Sequence, residues 1–235
     1  MPAPWAGTPA APHAVPMTTI QATAATVDTP RGSGTRGLLL LVAIVLGGLG
    51  NLANLLAGYN GDHVRIAWLA DHQSAWIAAT YGTALNVLGI LALLAAVCTL
   101  VRGRGAAWAT VSLAVGALGT ALYAVSAAIP MALLGLGTQT TVPAADAEAL
   151  LEYVRDQDLT QVGVAFPGFL LLLVAQITIT VALVRSRALP AWVPILFIVG
   201  GVLAVLFAGG GPLSALLALP QYVAMVAIGW HAHRS

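Results

Sequence analysis

The residues of this chain that could take part in chemistry are neutral amides and hydroxyls set within long apolar runs. Asn51 and Asn54 share one helix face, because side chains three positions apart are neighbours on a helix. Asn86 and Tyr123 stand in two later apolar runs. An unpaired amide in hydrocarbon is strongly unfavourable, so these groups should face inward and bond to each other, to water or to a ligand.

Six polar residues make up the candidate site. Counted from the arginine-bearing ends of their apolar runs, all six fall in the far half of the membrane. Two interpretations stay open: the side chains form hydrogen bonds that join helices, or they line a pocket that opens outward. The six residues are Asn51, Asn54, Thr83, Asn86, Thr120 and Tyr123.

The runs that must position these residues are long enough to cross a bilayer. Five stretches of 25 or more residues lack Asp, Glu, Lys, Arg and His. A membrane helix needs only about 20 apolar residues. Charged residues are 7% of the chain, against about a quarter in an ordinary soluble domain. The sequence therefore predicts an all-α, polytopic helical membrane protein. The stretches are 37–61, 73–101, 105–145, 159–184 and 188–230.

Two interruptions set the number of crossings. Residues 209–212, Gly-Gly-Gly-Pro, divide the last stretch into two spans, and Pro130 is expected to end the third helix. This predicts six transmembrane helices within a domain of residues 36–235, after a disordered cytoplasmic tail of residues 1–35. The predicted helices are Gly37–Gly58, Trp76–Val101, Ala106–Ala128, Gly163–Val184, Pro190–Ala208 and Leu213–Trp230.

The arginines predict the orientation, because cytoplasmic loops retain positive charge. Seven of the nine arginines fall on one side of the six predicted helices, and seven of the eight acidic residues fall on the other. We therefore expect a multi-pass protein of the plasma membrane with both termini cytoplasmic. The longer outer loop should contain a helix from Pro143 to Arg155, capped by Thr140 or Thr141.

Several classes of function lack the residues that they need. No ionisable residue is placed at membrane depth, although ion-driven transporters usually carry one. There is no H-E-x-x-H motif, and no serine in the spans has a histidine at membrane depth to act as a base. We therefore expect no enzymatic activity, no cofactor, no metal site and no nucleic acid partner.

In size, loop pattern and composition, the segment from Arg36 to His233 resembles the uncharacterised six-helix integral membrane proteins of high-GC bacteria. The resemblance implies the fold and the membrane location, but no activity. We expect an accessory or scaffolding protein that binds the lipid bilayer and also other membrane proteins or a second copy of itself. Small-residue faces such as Gly50 with Gly58, and Gly200 with Ala204, would serve as contact surfaces. The alternative is a facilitator or small-molecule binding protein that uses the polar pocket.

Overall fold

The computed structural model describes residues 33–56, 71–137, 142–156, 161–207 and 211–235. Within these ranges every regular element is helical, which confirms the all-α class. The predicted tail, residues 1–35, lies almost entirely outside the described residues. The helices are α1 (Ser33–Leu56), α2 (Gln73–Leu100), α3 (Ala106–Gly137), α4 (Ala144–Asp156), α5 (Phe166–Ser186), α6 (Trp192–Leu206) and α7 (Gly211–Arg234), with a π-helical turn at Gln161–Ala165 before α5.

Five of the helices, α1, α2, α3, α5 and α7, are long and apolar enough to cross a membrane. The multi-pass membrane class is therefore confirmed. The fifth predicted span differs, because α6 has 15 residues rather than the predicted 19 from Pro190 to Ala208. A helix of that length is about 22 Å long, shorter than the roughly 30 Å hydrocarbon core. Pro190 lies before the helix, and its last residue is Leu206.

The third helix does not end at Ala128, so that prediction was wrong. Helix α3 continues through Pro130 to Gly137 and has 32 residues. A proline removes one backbone hydrogen bond, which neighbouring helices can compensate in a membrane bundle. Here the extension is supported from α2, because the Trp76 ring lies against Gly135, 3.1 Å from where a Cβ would stand.

The predicted helix of the longer outer loop is present as α4, which begins directly after Pro143. The Pro143 carbonyl accepts hydrogen bonds from the backbone N–H groups of Asp146 and Ala147, each at 3.1 Å. Ala147 is buried, and α4 contacts α3. The predicted capping residues Thr140 and Thr141 lie outside the described part of the chain.

The helix ends that carry arginine meet at one end of the bundle. The first turn of α1 reaches the last turn of α7, where a Cβ on Gly37 would stand 2.6 Å from the His233 Cα. The turn before α3 reaches α5 in the same way, with Gly105 against the Ala182 carbonyl. This arrangement matches the separation of charge that the sequence predicts. The arginines described at this end are Arg36, Arg102, Arg104, Arg185, Arg187 and Arg234.

Glycines bring α1 and α2 into backbone contact. A Cβ on Gly82 would stand 2.4 Å from the Gly50 carbonyl oxygen, and one on Gly47 would stand 2.5 Å from the Gly89 Cα. Such contacts require residues without side chains, as is common between membrane helices. Helix α7 packs against α1 and α6, and α3 packs against α5. The five long apolar helices and the shorter α6 thus surround a common interior.

Candidate functional site

A cavity of about 320 Å³ lies between α1, α2, α3, α5, α6 and α7. This volume falls in the range of about 300–1,000 Å³ that is typical of small-molecule sites. Its wall is mainly apolar, and none of its lining residues carries a charge. A few polar groups in an apolar wall are the usual composition of a ligand pocket. The polar lining residues are Asn51, Asn86, Tyr123, Gln176, Gln221 and Tyr222.

One polar side of the cavity is built from two asparagine–tyrosine pairs. The Asn51 side-chain amide of α1 donates a hydrogen bond to the Tyr222 hydroxyl of α7. The Tyr222 ring lies over Gly48, one turn from Asn51, where an added Cβ would stand 3.4 Å from the ring, in ordinary van der Waals contact. The second pair joins α3 and α2, because the Tyr123 hydroxyl lies within hydrogen-bonding reach of the Asn86 side chain.

Both pairs line the same cavity, so its polar lining draws on α1, α2, α3 and α7. Asn86 and Tyr222 are each 9% exposed, and Asn51 and Tyr123 are half-buried. Buried hydroxyls and amides can each make several hydrogen bonds, so this lining retains capacity for a further partner.

The Gln176 side chain joins α5 to α6 at another part of the cavity wall. Its Nε2 donates a hydrogen bond of 3.0 Å to the backbone carbonyl of Phe197. The amide lies directly over Gly201, where a Cβ would come within 1.4 Å of the Gln176 Nε2. Glycine at position 201 is therefore a condition for this side chain to reach α6.

The structure separates the six predicted site residues into two groups. Asn51, Asn86 and Tyr123 line the cavity. The other three lie outside its lining and make hydrogen bonds within or between helices. Asn54 donates a hydrogen bond of 3.2 Å to the Thr83 hydroxyl, which itself donates to the Ala79 carbonyl. The Thr120 hydroxyl bonds to the Gly116 carbonyl of its own helix at 2.7 Å.

Sequence reasoning did not place Gln176, Gln221 and Tyr222 in the site, although all three line the cavity. Each is a polar residue within an apolar run, so the signal was present in the sequence. The predicted site was limited to residues in the far half of the membrane, and these three residues lie nearer the middle of their helices. The helix rotations that bring them to the interior depend on packing between distant segments.

The cavity lining supplies amide and phenol groups for hydrogen bonding, and none of its side chains is charged. Among the described residues there is also no group of three or more His, Cys, Asp or Glu side chains that could hold a metal ion. The arrangement is suited to binding an uncharged molecule.

Comparison with known proteins adds a family assignment. No curated protein matches the chain, and no solved structure matches it. A family described as "Domain of unknown function (DUF4386)" matches residues 35–231, which include all of the long apolar helices apart from the first and last few residues of the bundle. The chain therefore belongs to the DUF4386 family of domains of unknown function.

Proposed function

We propose that this protein is a non-enzymatic membrane protein that binds an uncharged small molecule inside its helix bundle. The observation that carries the proposal is the cavity of about 320 Å³, with six polar residues in an otherwise apolar wall. A polar cavity of this size holds water or a ligand, because empty cavities are usually apolar. The mixture of polar and apolar lining favours a ligand with both kinds of surface.

The accessory or scaffolding function expected from the sequence has less support. It relied on small-residue faces that would bind other helices. Gly50 lies against Gly82, and Gly200 lies against the backbone of Gln221, so both are used within the chain. Gly58 lies outside the described residues. A binding function relies instead on the cavity, which none of the described helices occupies.

The mass of molecules bound to the purified protein tests this proposal. Wild-type protein purified in a mild detergent should release one small uncharged species on solvent extraction, as detected by mass spectrometry. The double variant Asn51→Leu, Asn86→Leu should lose that species, because it removes one member of each asparagine–tyrosine pair. The control is Asn54→Leu, which removes an amide of the same helix that bonds to Thr83 outside the cavity.

A second variant tests the cavity independently, in case the double variant misfolds. Ala204→Phe would fill part of the cavity from α6 and leave both asparagine–tyrosine pairs intact. It should also lose the bound species. Equal amounts of the same molecule from all four proteins, or none from the wild type, would show that the cavity is not a ligand site.

We further propose that the arginine-bearing end faces the cytoplasm and that the protein resides in the plasma membrane. The support is the collection of six described arginines at one end of the bundle. Single cysteines can test this in a Cys98→Ser background. On intact cells, an impermeant maleimide should label Glu152→Cys on α4 and should label Arg104→Cys only after permeabilisation. The reverse pattern would contradict the orientation.

A further inference from the structure

The cavity has two lining residues that also face the lipid. Phe169 of α5 is 44% exposed and Val205 of α6 is 37% exposed, yet both line the cavity. Most lining residues are instead buried or half-buried. Side chains that belong both to an interior cavity and to the lipid-facing surface mark a place where the two are separated by a single layer of atoms.

Phe169 and Val205 lie at a similar depth on neighbouring antiparallel helices. The hydrogen bond from Gln176 to Phe197 and the contact of Gln176 with Gly201 fix the register between α5 and α6. Phe169 lies seven residues before Gln176 in α5. Val205 lies four residues after Gly201, and eight after Phe197, in α6. At a rise of about 1.5 Å per residue, both lie roughly 6–12 Å from the Gln176 contact on the same side of it.

Helices α5 and α6 also pack less extensively than any other two apolar helices that follow each other along the chain. Helix α6 is short and packs mainly against α7, and Gln176 of α5 contacts it at Phe197 and Gly201. Beyond that level, the exposed lining residues are Phe169 and Val205. Such side chains change rotamer on a timescale of picoseconds to nanoseconds where they are exposed.

The chemistry of the lining limits what can occupy the cavity. A charged group would be desolvated there without a counter-charge, since none of the lining residues is charged. The apolar majority of the wall suits a hydrocarbon body, and the amides and phenols suit a hydroxyl or carbonyl group. A molecule of this kind dissolves in the bilayer rather than in water.

We infer that the cavity exchanges its ligand directly with the bilayer, through a lateral opening between α5 and α6 that Phe169 and Val205 close. The ligand class is an uncharged lipophilic molecule with a hydroxyl or carbonyl group. This inference rests on the proposed function and adds the route and the class of ligand. We call the pair Phe169 and Val205 the lateral gate.

Photolabelling of the full chain in phosphatidylcholine vesicles tests the inference. The probe is hexadecan-1-ol with a diazirine next to the carbon that carries the hydroxyl, and the comparison probe is the matching hexadecanoate. Label at buried Met225 measures occupancy of the cavity, and label at Ile177, which is 48% exposed on α5, measures arrival in the bilayer. The ratio of the two is followed at increasing delays after the probe is added.

The alcohol should label Met225, and the carboxylate should label it at least about tenfold less, because a charge pays a desolvation penalty in the uncharged cavity. The bulky gate variant Phe169→Trp, Val205→Phe should slow labelling of Met225 by about tenfold, the effect of a barrier raised by roughly 1.4 kcal/mol. Phe169→Ala should accelerate it. The control, Leu170→Trp with Ile195→Phe, enlarges lipid-facing residues outside the cavity lining and should change nothing.

The outcomes separate the route from the proposed function. Label at Met225 that appears equally fast in every gate variant would overturn the lateral route while leaving a ligand site. Equal labelling by the carboxylate would overturn the ligand class. Absence of label at Met225 from both probes, with Ile177 labelled, would overturn the ligand class and count against the proposed function as well.

Discussion

The contact between α1 and α2 and the junction between α5 and α6 are two helix interfaces of opposite construction. At the first, glycines on both helices allow backbone atoms to touch, as between Gly82 and the Gly50 carbonyl. At the second, the glycine is on one helix only, and the space over Gly201 is taken by the Gln176 side chain. The first interface therefore has no room for a ligand, whereas the second forms part of a cavity wall.

The difference shows how small and polar residues divide their tasks in this bundle. Paired glycines give close van der Waals contact, which is a main source of helix association in lipid. A long amide that reaches over a glycine gives one hydrogen bond and leaves space beside it. We therefore expect stability to depend on the α1–α2 contact, and binding to depend on the α5–α6 junction and its neighbours.

The largest effect is expected at the α1–α2 contact. Gly82→Val should destabilise the protein by about 3 kcal/mol, because its side chain would collide with backbone atoms of α1 that cannot move aside. Thermal unfolding in detergent can be followed with a thiol-reactive dye, since half-buried Cys98 is the single cysteine. The matched control is Gly34→Val, where nothing lies within 4 Å of the added Cβ. Equal melting of the two variants would refute the role given to this contact.

Substitution of the adjacent glycines of α6, Gly200 and Gly201, should destabilise the protein to an intermediate degree. Gly200→Ala should destabilise by about 2 kcal/mol, because its Cβ would stand 2.3 Å from the backbone nitrogen of Gln221. Gly201→Ala should destabilise by only about 1 kcal/mol, because the amide of Gln176 can swing away and lose a single hydrogen bond. The same dye assay measures both.

A double-mutant cycle identifies the cause of the Gly201 effect. In a Gln176→Leu background, Gly201→Ala should destabilise the protein less than it does in the wild type, because the hydrogen bond to Phe197 is already absent. Strict additivity of the two substitutions would show that the Gln176 bond is not what Gly201 protects.

The smallest effect is expected from the polar pair at the α1–α2 contact. Thr83→Val removes the hydroxyl that accepts the Asn54 amide, and should destabilise by about 0.6 kcal/mol, as is usual for hydrogen bonds between membrane helices. It should leave the bound species of the wild type in place. A loss of that species would place Asn54 and Thr83 in the binding site. It would contradict the claim that the α1–α2 contact serves stability and the α5–α6 junction serves binding.

The spans could be predicted from the sequence because lipid imposes one simple requirement on each of them. A run without charge from residue 73 to residue 101 has few alternatives to a membrane helix, and α2 covers Gln73–Leu100. The α4 helix could also be predicted from the sequence, since Pro143 and the acidic first turn are local signals. These features depend on residues close together in the chain.

The remaining features depend on contacts between distant segments. The passage of α3 through Pro130 is supported by Trp76, and the composition of the cavity depends on which face each helix turns inward. Asn51 and Asn54 show this well, because they share a helix face yet have different partners, Tyr222 and Thr83. Their spacing predicted a shared helix face but contained no information about the partner helices.

A structure of the protein determined in lipid, by electron microscopy, tests the central claim most directly. The account predicts non-protein density between Tyr222 and Gln176, elongated towards Phe169 and Val205, in the wild type and its absence in the Asn51→Leu, Asn86→Leu variant. A wild-type cavity closed by its own side chains, with α5 and α6 in contact along their whole length, would contradict it.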